Sequence, residues 1–298
     1  MRYAQFVVGP AGSGKSTYCS TIQRHAADAK RVVDIVNLDP AAENFSYQPI
    51  VDIRDLIQLD DAMEDEELHF GPNGGLIFCL EFLLENAEWL RDQLCGGSDN
   101  EDAEGDPDDD YLIFDMPGQI ELYTHLDTGR KLVKLLESWN FRLCGVFVLD
   151  SQFMTDGAKF LSGTMAALSV MANMEMPHIN ILSKMDLLSK TARNQLDKYL
   201  EPDAHALLGE VTNESAWGRK HHRLSEAIGA LIEDFSLVRF TPMNIDDEEN
   251  IGDILLTIDN IIQYGEDCDV KVRDDFDPPE DEEDNKDFYE DPSNYANT

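Results

Sequence analysis

The sequence predicts an α/β protein in which a doubly wound, mainly parallel β-sheet is flanked by helices. Short apolar runs alternate with longer segments of helical periodicity, the order expected when crossover helices join the strands of one parallel sheet. Several runs are apolar on both alternations, as strands covered on both faces are. The predicted strands are Tyr3–Val8, Val32–Leu38, Tyr111–Asp115, Leu143–Leu149, His178–Ser183 and Leu237–Phe240.

Apolar side chains at helical spacing predict the connecting helices. The first begins near Ser16, and a leucine-rich stripe predicts another over Gly75–Leu94. The others are Leu122–Trp139, Asp156–Met174, Thr191–Leu208, Arg219–Asp234 and Gly252–Tyr264. Because 298 residues can form one large domain with insertions, we expect a domain over residues 1–265 with a helical insertion at about 189–234.

The charge of the chain is strongly negative and unevenly distributed. Its 60 acidic and 23 basic residues give a formal net charge of −37, which argues against direct nucleic-acid binding because a phosphate backbone would be repelled. Acidic residues are dense in 96–110 and in 266–298, where little apolar surface offsets the entropy of ordering. We therefore expect a disordered acidic insert and a disordered acidic tail.

Cysteine usage and hydropathy bear on the compartment. There are five cysteines and no C-x-x-C pair, and Cys79 and Cys144 lie inside apolar runs, which predicts buried thiols in a reducing environment. No apolar stretch reaches the ~18 residues that a membrane span needs, so we expect no membrane partner. The start of the chain has no signal-peptide pattern. We expect a cytoplasmic protein, with shuttling to the nucleus left open.

A phosphate-binding loop follows the first predicted strand directly. Residues 9–16 read Gly-Pro-Ala-Gly-Ser-Gly-Lys-Ser, which matches G-x-x-x-x-G-K-[ST] between a strand and a helix. The bare alternative, a flexible glycine turn, does not explain the Lys-Ser pair at this spacing. Lys15 would reach the β- and γ-phosphates, and the Ser16 hydroxyl would bind Mg²⁺. The predicted nucleotide-binding residues here are Gly9, Pro10, Ala11, Gly12, Ser13, Gly14, Lys15, Ser16 and Thr17.

Polar residues follow two further strands, at the edge of the sheet where ligands bind in such folds. Asp39 follows the second strand, and Asp115 ends the third and opens Asp-Met-Pro-Gly-Gln-Ile-Glu. We predict that Asp115 and Asp39 complete the Mg²⁺ site of Ser16. The Gly118 N–H would meet the γ-phosphate, and Gln119 would orient the attacking water.

Residues 183–186, Ser-Lys-Met-Asp, end the fifth strand and predict the base. The Asp186 carboxylate can accept hydrogen bonds from guanine N1–H and the 2-amino group, while the Lys184 stem packs over the purine. Adenine offers no such pair of donors, so the prediction is GTP over ATP. The alternative is that Ser183 or Asp186 only caps a helix. Residues 240–243, Phe-Thr-Pro-Met, after the last strand, are predicted at the guanine edge, with Thr241 and Pro242 as the binding residues.

A Gly-Pro-Asn tripeptide, Gly71, Pro72 and Asn73, precedes the leucine-rich helix and on its own indicates only a rigid turn. Taken with the motifs above, the chain over roughly residues 3–265 resembles the GPN-loop GTPases. The segments most similar to the third paralogue of the eukaryotic set are Asn37–Glu43, residues 118–126 and residues 150–154.

The resemblance implies a dimer of two related GTPase folds that face each other across their nucleotides. The partner is a paralogous GPN-loop GTPase in a heterodimer, or a second copy of this chain. The Gly-Pro-Asn loop of one subunit would reach the partner's site, with Asn73 near the γ-phosphate. Gln119, Glu121 and Asp39 would hold the attacking water, and which carboxylate is the base stays open. The resemblance further implies assembly and nuclear import of RNA polymerase II.

Three functions are compatible with these motifs. The first is a dimeric GTP-hydrolysing switch, the second a P-loop phosphotransferase acting on a small substrate, and the third a nucleotide-bound scaffold. The phosphotransferase lacks an obvious acceptor-binding arginine lid and gives residues 183–186 no role. Gln119 and Glu121 argue against the scaffold. The sequence therefore favours the switch.

Overall fold

The computed structural model describes residues 2–64, 70–96, 110–155, 157–188, 200, 227, 230 and 238–265. Five predictions lie wholly or almost wholly outside these residues: the disordered acidic insert, the helices Thr191–Leu208 and Arg219–Asp234, the helical insertion and the acidic tail. The first compact unit of the chain spans Met1–Tyr264. The proposed domain limits stay a prediction.

One seven-stranded sheet forms the centre of this unit, and every described strand pair is parallel. Its strands are β1 (Arg2–Val8), β2 (Asp34–Asn37), β3 (Val51–Asp52), β4 (Tyr111–Asp115), β5 (Phe141–Asp150), β6 (His178–Ser183) and β7 (Phe240–Pro242). Their order is β3-β2-β4-β1-β5-β6-β7. The chain leaves β1 towards β2 and later leaves β4 towards β5, so the loops after these strands open a crevice at the middle of the sheet. The predicted fold class is confirmed.

Helices connect and cover the strands. They are α1 (Lys15–Asp28), α2 (Leu59–Glu64), α3 (Pro72–Glu85), α4 (Ala87–Cys95), α5 (Glu121–Thr124), α6 (Thr128–Ser138), α7 (Gly157–Met174) and α8 (Glu248–Ile262). The last begins earlier than predicted because the Asp247 side chain accepts a hydrogen bond from the Asn250 N–H and caps it.

Two helices predicted as continuous are each broken in two. The first breaks at Asn86, whose φ and ψ of −105° and 37° are not helical and whose N–H and Nδ2 both donate to the Phe82 carbonyl, at 3.0 and 2.8 Å. The second breaks between α5 and α6, because Asn173 Nδ2 of α7 donates to the carbonyls of Tyr123 and Leu126, at 2.9 and 3.2 Å. In a continuous helix these carbonyls would accept backbone N–H groups.

Apolar residues cover the sheet on both faces. On β1, Ala4, Phe6 and Val8 face one buried cluster, with α3, α6 and α7, whereas Tyr3 and Val7 face the other, with α1 and α8. This two-sided burial explains the continuous apolar runs. Cys79 and Cys144 are buried, and burial raises the pKa of Cys144 to about 12. No helix within the described ranges is long and apolar enough to cross a membrane.

Candidate nucleotide-binding site

The loop between β1 and α1 forms a cradle of backbone groups. Gly9, Gly12 and Gly14 have φ angles of 150°, 71° and 95°, which L side chains rarely adopt. A Cβ at Gly9 would lie 2.2 Å from the Val148 carbonyl oxygen of β5, so only glycine fits there. Helix α1 starts at Lys15 without a side-chain cap, which leaves its first N–H groups available to an anion.

Lys15 lies inside this loop. Its Nζ donates to the carbonyl oxygens of Gly9 and Pro10, at 3.1 and 3.3 Å. Burial lowers the pKa of Lys15, and the nearby carboxylates of Asp115 and Asp39 act in the opposite direction. Ser13 Oγ is buried and finds no hydrogen-bond partner among the described residues. An amine and an unsatisfied hydroxyl at a helix start suit a phosphate group.

Asp115 ends β4 beside the loop and is 3% exposed. Its carboxylate accepts hydrogen bonds from the Ser16 side chain and from the Tyr47 hydroxyl, the latter at 2.6 Å. Burial raises the pKa of Asp115, while these two hydrogen bonds and the Lys15 charge oppose the rise. The predicted neighbourhood of Lys15, Ser16 and Asp115 is thus present.

Asp39 lies just beyond β2 in a turn built by Asn37. The Asn37 Oδ1 accepts from the Asp39 N–H at 3.1 Å, and its Nδ2 donates to the Asp39 carbonyl and to Asp52 Oδ1. The Asp39 Oδ1 in turn accepts from the Ala41 N–H at 2.9 Å. Burial raises the pKa of Asp39, and the Ala41 N–H and the Lys15 charge lower it.

These oxygens suit Mg²⁺ bound together with a nucleotide. Mg²⁺ is commonly held by one or two carboxylates and by substrate phosphates rather than by an all-protein cage. Ser16, Asp39 and Asp115 supply a hydroxyl and two carboxylates, and Lys15 interacts with both acids. Among the described residues no group of three or more His, Cys, Asp or Glu could hold a metal by itself.

The turn after β4 lies against the phosphate-binding loop. A Cβ at Gly118 would stand 2.7 Å from the Ala11 Cα, so the backbones touch there. The next residue, Gln119, donates from Nε2 to Asn73 Oδ1 at 2.6 Å. Glu121 starts α5 and is exposed, and no described hydrogen bond joins its side chain to another predicted site residue.

The Gly-Pro-Asn tripeptide is the beginning of α3. Gly71 precedes the helix in an extended conformation, Pro72 occupies its first position, and Asn73 follows in the first turn. Proline suits this position because its missing N–H would have no partner inside the helix anyway. The helix therefore starts three residues before the predicted Gly75, and Asn73 is exposed at its end.

A cavity of about 250 Å³ opens beside α1 at the end of β6. It is lined by Gly14, Thr17, Tyr18, Ser183, Lys184, Asp186, Leu187, Met243 and Ile245. Lys184 Nζ donates to the Gly12 carbonyl at 2.6 Å and to Asp150 Oδ2 at 2.8 Å. The Ser183 hydroxyl lies within hydrogen-bonding distance of the carbonyl oxygens of Ser13 and Leu149. The predicted base loop is thus tied to the phosphate-binding loop, with the Asp186 carboxylate exposed at the wall.

Thr241 and Pro242 do not line this cavity. They belong to β7, which pairs with β6, and the Pro242 carbonyl accepts from Asn250 Nδ2. In this part of the chain only residues after the end of β7 line the cavity, and Met243 and Ile245 form its wall there. Sequence reasoning included Met243 in the predicted guanine-edge segment but missed Ile245, Tyr18 and Leu187. Ligands in such folds lie beyond the carboxyl ends of the strands, and β7 ends at Pro242, so the first residue that can face a ligand is Met243.

Comparisons with known proteins agree with this geometry. A protein-family model described as "Conserved hypothetical ATP binding protein" matches residues 7–264. A protein from Danio rerio named GPN-loop GTPase 3 is 53% identical over 270 residues, covering 91% of each chain. The chain belongs to the GPN-loop GTPase family. Another member, GPN-loop GTPase 3 of Xenopus tropicalis, is 49% identical over 97% of this chain and 96% of its own length. The predicted resemblance, including that to the third paralogue, is confirmed.

A solved structure of a GTPase from Pyrococcus abyssi in its apo form has a TM-score of 0.68. It covers 87% of this chain and 97% of its own, at 24% sequence identity. This similarity shows that the two proteins share a fold, a parallel sheet flanked by helices. The nucleotide of this GPN-loop chain is therefore inferred from its own site residues.

Proposed function

We propose that this GPN-loop protein binds GTP with Mg²⁺ and hydrolyses it to GDP and phosphate. The observation that carries the proposal is that three separate motifs border one crevice. The phosphate-binding loop contacts Asp115 through Ser16, contacts Gly118 through Ala11, and contacts Lys184 through the Gly12 carbonyl. A triphosphate along the loop would place its base in the cavity beside Asp186.

The chain's own residues supply the binding and the positioning. Backbone N–H groups at the start of α1 and the Lys15 amine would bind the β- and γ-phosphates. Ser16 and Asp115 would hold Mg²⁺, whose chemistry is to neutralise charge on the phosphate oxygens. The Lys15 amine, which donates to two loop carbonyls in this structure, would donate to the phosphates instead.

Hydrolysis needs a water held in line with the γ-phosphorus and a group that takes its proton. With Nε2 occupied by Asn73, Gln119 has its Oε1 free to accept a hydrogen bond from that water. Attack forms a bond from the water oxygen to phosphorus and breaks the bond to the β-phosphate oxygen. Asp39 would take the proton where Ser16 and Asp115 alone hold the Mg²⁺, and Glu121 would take it where Asp39 is a third ligand. The proton then passes to the released phosphate.

The base is tested by changing Asp186 to Asn. A carboxamide would present a donor where guanine N1–H needs an acceptor, so Asp186→Asn should weaken GTP binding and admit xanthosine triphosphate. We expect the ratio of the two affinities to change by at least ~100-fold, measured by equilibrium competition against a labelled nucleotide. Asp253→Asn, the same change at an exposed site on α8, is the control. Unchanged selectivity would remove the guanine assignment.

The assembly and the client are proposed from the family resemblance alone. We expect a dimer with a paralogous GPN-loop GTPase, or with a second copy of this chain, that acts in the assembly and nuclear import of RNA polymerase II from the cytoplasm. Affinity capture with a non-hydrolysable GTP analogue tests both points. Recovery of a GPN-loop partner and of polymerase subunits would support them, and capture of neither would oppose them.

A further inference from the structure

Tyr47 contacts the metal-binding part of the site although it belongs to none of its motifs. It lies on the segment between β2 and β3, residues 38–50, here called the β2–β3 segment. Its hydroxyl donates to Asp115 Oδ2 at 2.6 Å, and the residue is 9% exposed. The same segment carries Asp39, so it reaches the site at two points.

A continuous set of contacts supports Tyr47. Its ring packs against that of Phe45, with 5.1 Å between centroids, and the Arg54 guanidinium lies 4.5 Å from the centre of the Phe45 ring. Arg54 also donates to the Ala42 carbonyl at 2.8 Å and pairs with Asp52. Arg54, two residues after β3, thus contacts the β2–β3 segment at Ala42 and at Phe45.

Asp39 depends on the same support. Asn37 joins Asp39 to Asp52, and Asp52 is the residue that Arg54 pairs with. A shift of Arg54 or Asp52 would therefore move both the turn that presents Asp39 and the ring stack that presents the Tyr47 hydroxyl. The two carboxylates of the predicted metal site are thus coupled through described contacts.

We propose that Tyr47 is a positioning residue that orients the Asp115 carboxylate for Mg²⁺ and links metal binding to the arrangement of the β2–β3 segment. The inference deepens the proposed function and rests on it, since it assumes Asp115 to be a metal-binding group. Hydrogen bonds to a ligating carboxylate fix its orientation, and the loss of such a partner commonly weakens metal binding. Mg²⁺ is sensitive to this because it demands near-ideal octahedral geometry.

The test removes the hydroxyl and keeps the ring. In Tyr47→Phe, free Mn²⁺ is measured by electron paramagnetic resonance in the presence of GDP, so that no turnover is involved. We expect the metal dissociation constant to rise roughly 10-fold. Affinity for labelled GDP in EDTA should stay within about twofold of the wild type, because the hydroxyl does not touch the nucleotide loop.

Tyr111→Phe is the matched control. Tyr111 lies on the same strand as Asp115, is also buried, and accepts a hydrogen bond from Gln5 Nε2 at 2.8 Å. We expect the loss of the Tyr111 hydroxyl to leave the metal affinity unchanged. A second variant, Phe45→Leu, keeps the Tyr47 hydroxyl but removes the ring that supports it, and should raise the metal dissociation constant by a smaller factor, about threefold.

The outcomes separate the two proposals. If the wild-type protein binds GDP but takes up no Mn²⁺ in its presence, the magnesium site itself is wrong. If the wild type binds Mn²⁺ and Tyr47→Phe binds it equally well or more tightly, the positioning role is wrong while the metal site stands. Should Tyr47→Phe fail to fold, the Phe45→Leu result decides, and wild-type metal affinity in that variant would overturn the inference.

Discussion

The Gln119 side chain donates a hydrogen bond from Nε2 to Asn73 Oδ1 of the same chain, at 2.6 Å. It joins the turn after β4 to the first turn of α3. Sequence reasoning placed both residues in the catalytic set from two separate motifs, and the family resemblance assigned Asn73 to the partner's site. Within its own subunit, Asn73 thus orients the Gln119 carboxamide, because Nε2 points to Asn73 and leaves Oε1 towards the crevice.

We predict that Gln119→Leu keeps GTP binding and slows hydrolysis by ~10²-fold, the effect typical of removing one preorganised polar group from a transition state. Leucine has a similar size but no group that can hold a water. The measurement is single-turnover hydrolysis with excess enzyme, beside a binding titration with a non-hydrolysable analogue. A variant that hydrolyses at the wild-type rate would show that the attacking water is positioned elsewhere.

A double-mutant cycle tests the contact between Gln119 and Asn73. Residues in direct contact usually show coupling energies of about 0.5–3 kcal/mol, so the rate losses of Gln119→Ala and Asn73→Ala should not add. Single-turnover rates of the two single variants and the double variant give the coupling. Gln93→Ala, an exposed glutamine on α4, combined with Asn73→Ala should show additive effects. Additivity in the first cycle as well would mean that the contact has no part in catalysis.

A mixing experiment distinguishes the action of Asn73 within a subunit from its action across a dimer. Asn73→Ala subunits have an intact Lys15, and Lys15→Ala subunits can offer only their Asn73 to a partner. If Asn73 works across the interface of a homodimer, mixing should recover part of the activity. If it works through Gln119 of its own chain, the mixture should show only the sum of the separate activities. Sedimentation of the mixture must first show that mixed dimers form.

Arg31 provides a prediction about stability away from the site. Its guanidinium forms two hydrogen bonds to Asp259, at 2.6 and 2.9 Å, and lies 4.2 and 3.8 Å from the ring centres of Tyr111 and Tyr264. Lysine cannot reproduce the paired bonds or the planar stacking, so Arg31→Lys should lower the free energy of unfolding by about 2 kcal/mol.

Urea denaturation measures this loss for Arg31. Arg24→Lys, on the exposed side of α1, is the matched control and should stay within about 0.5 kcal/mol of the wild type. Equal stability of all three proteins would show that the pairing of Arg31 with Asp259 of α8 contributes little.

The sequence was informative wherever the decisive interactions are local. Apolar runs located the longer strands, and the phosphate-binding loop was found because its spacing alone defines it. The helix breaks were not predicted, since the one between α5 and α6 depends on Asn173, about fifty residues along the chain. The two-residue strand β3 is too short for a periodic pattern. Tyr47 and its bond to Asp115 depend on a tertiary approach that no motif encodes.

The base site shows the same limit on a smaller scale. Residues 183, 184 and 186 line one cavity because they belong to one short motif after one strand. The opposite wall is formed by residues that follow β7. The register between β7 and β6 determines which residue is the first that no longer pairs in the sheet. That register places Met243 rather than Thr241 against the cavity, and it depends on two strands that are far apart in sequence.

The close approach of Gly118 to Ala11 restricts how this family of sites can vary. Two turns separated by more than a hundred residues touch through their backbones, because the atom nearest to an added Cβ at position 118 is the Ala11 Cα. A library that randomises position 118 should therefore retain glycine whatever residue stands at position 11, where the alanine side chain is exposed. Evolution at position 118 is thus constrained by the backbone of the other turn rather than by its side chain.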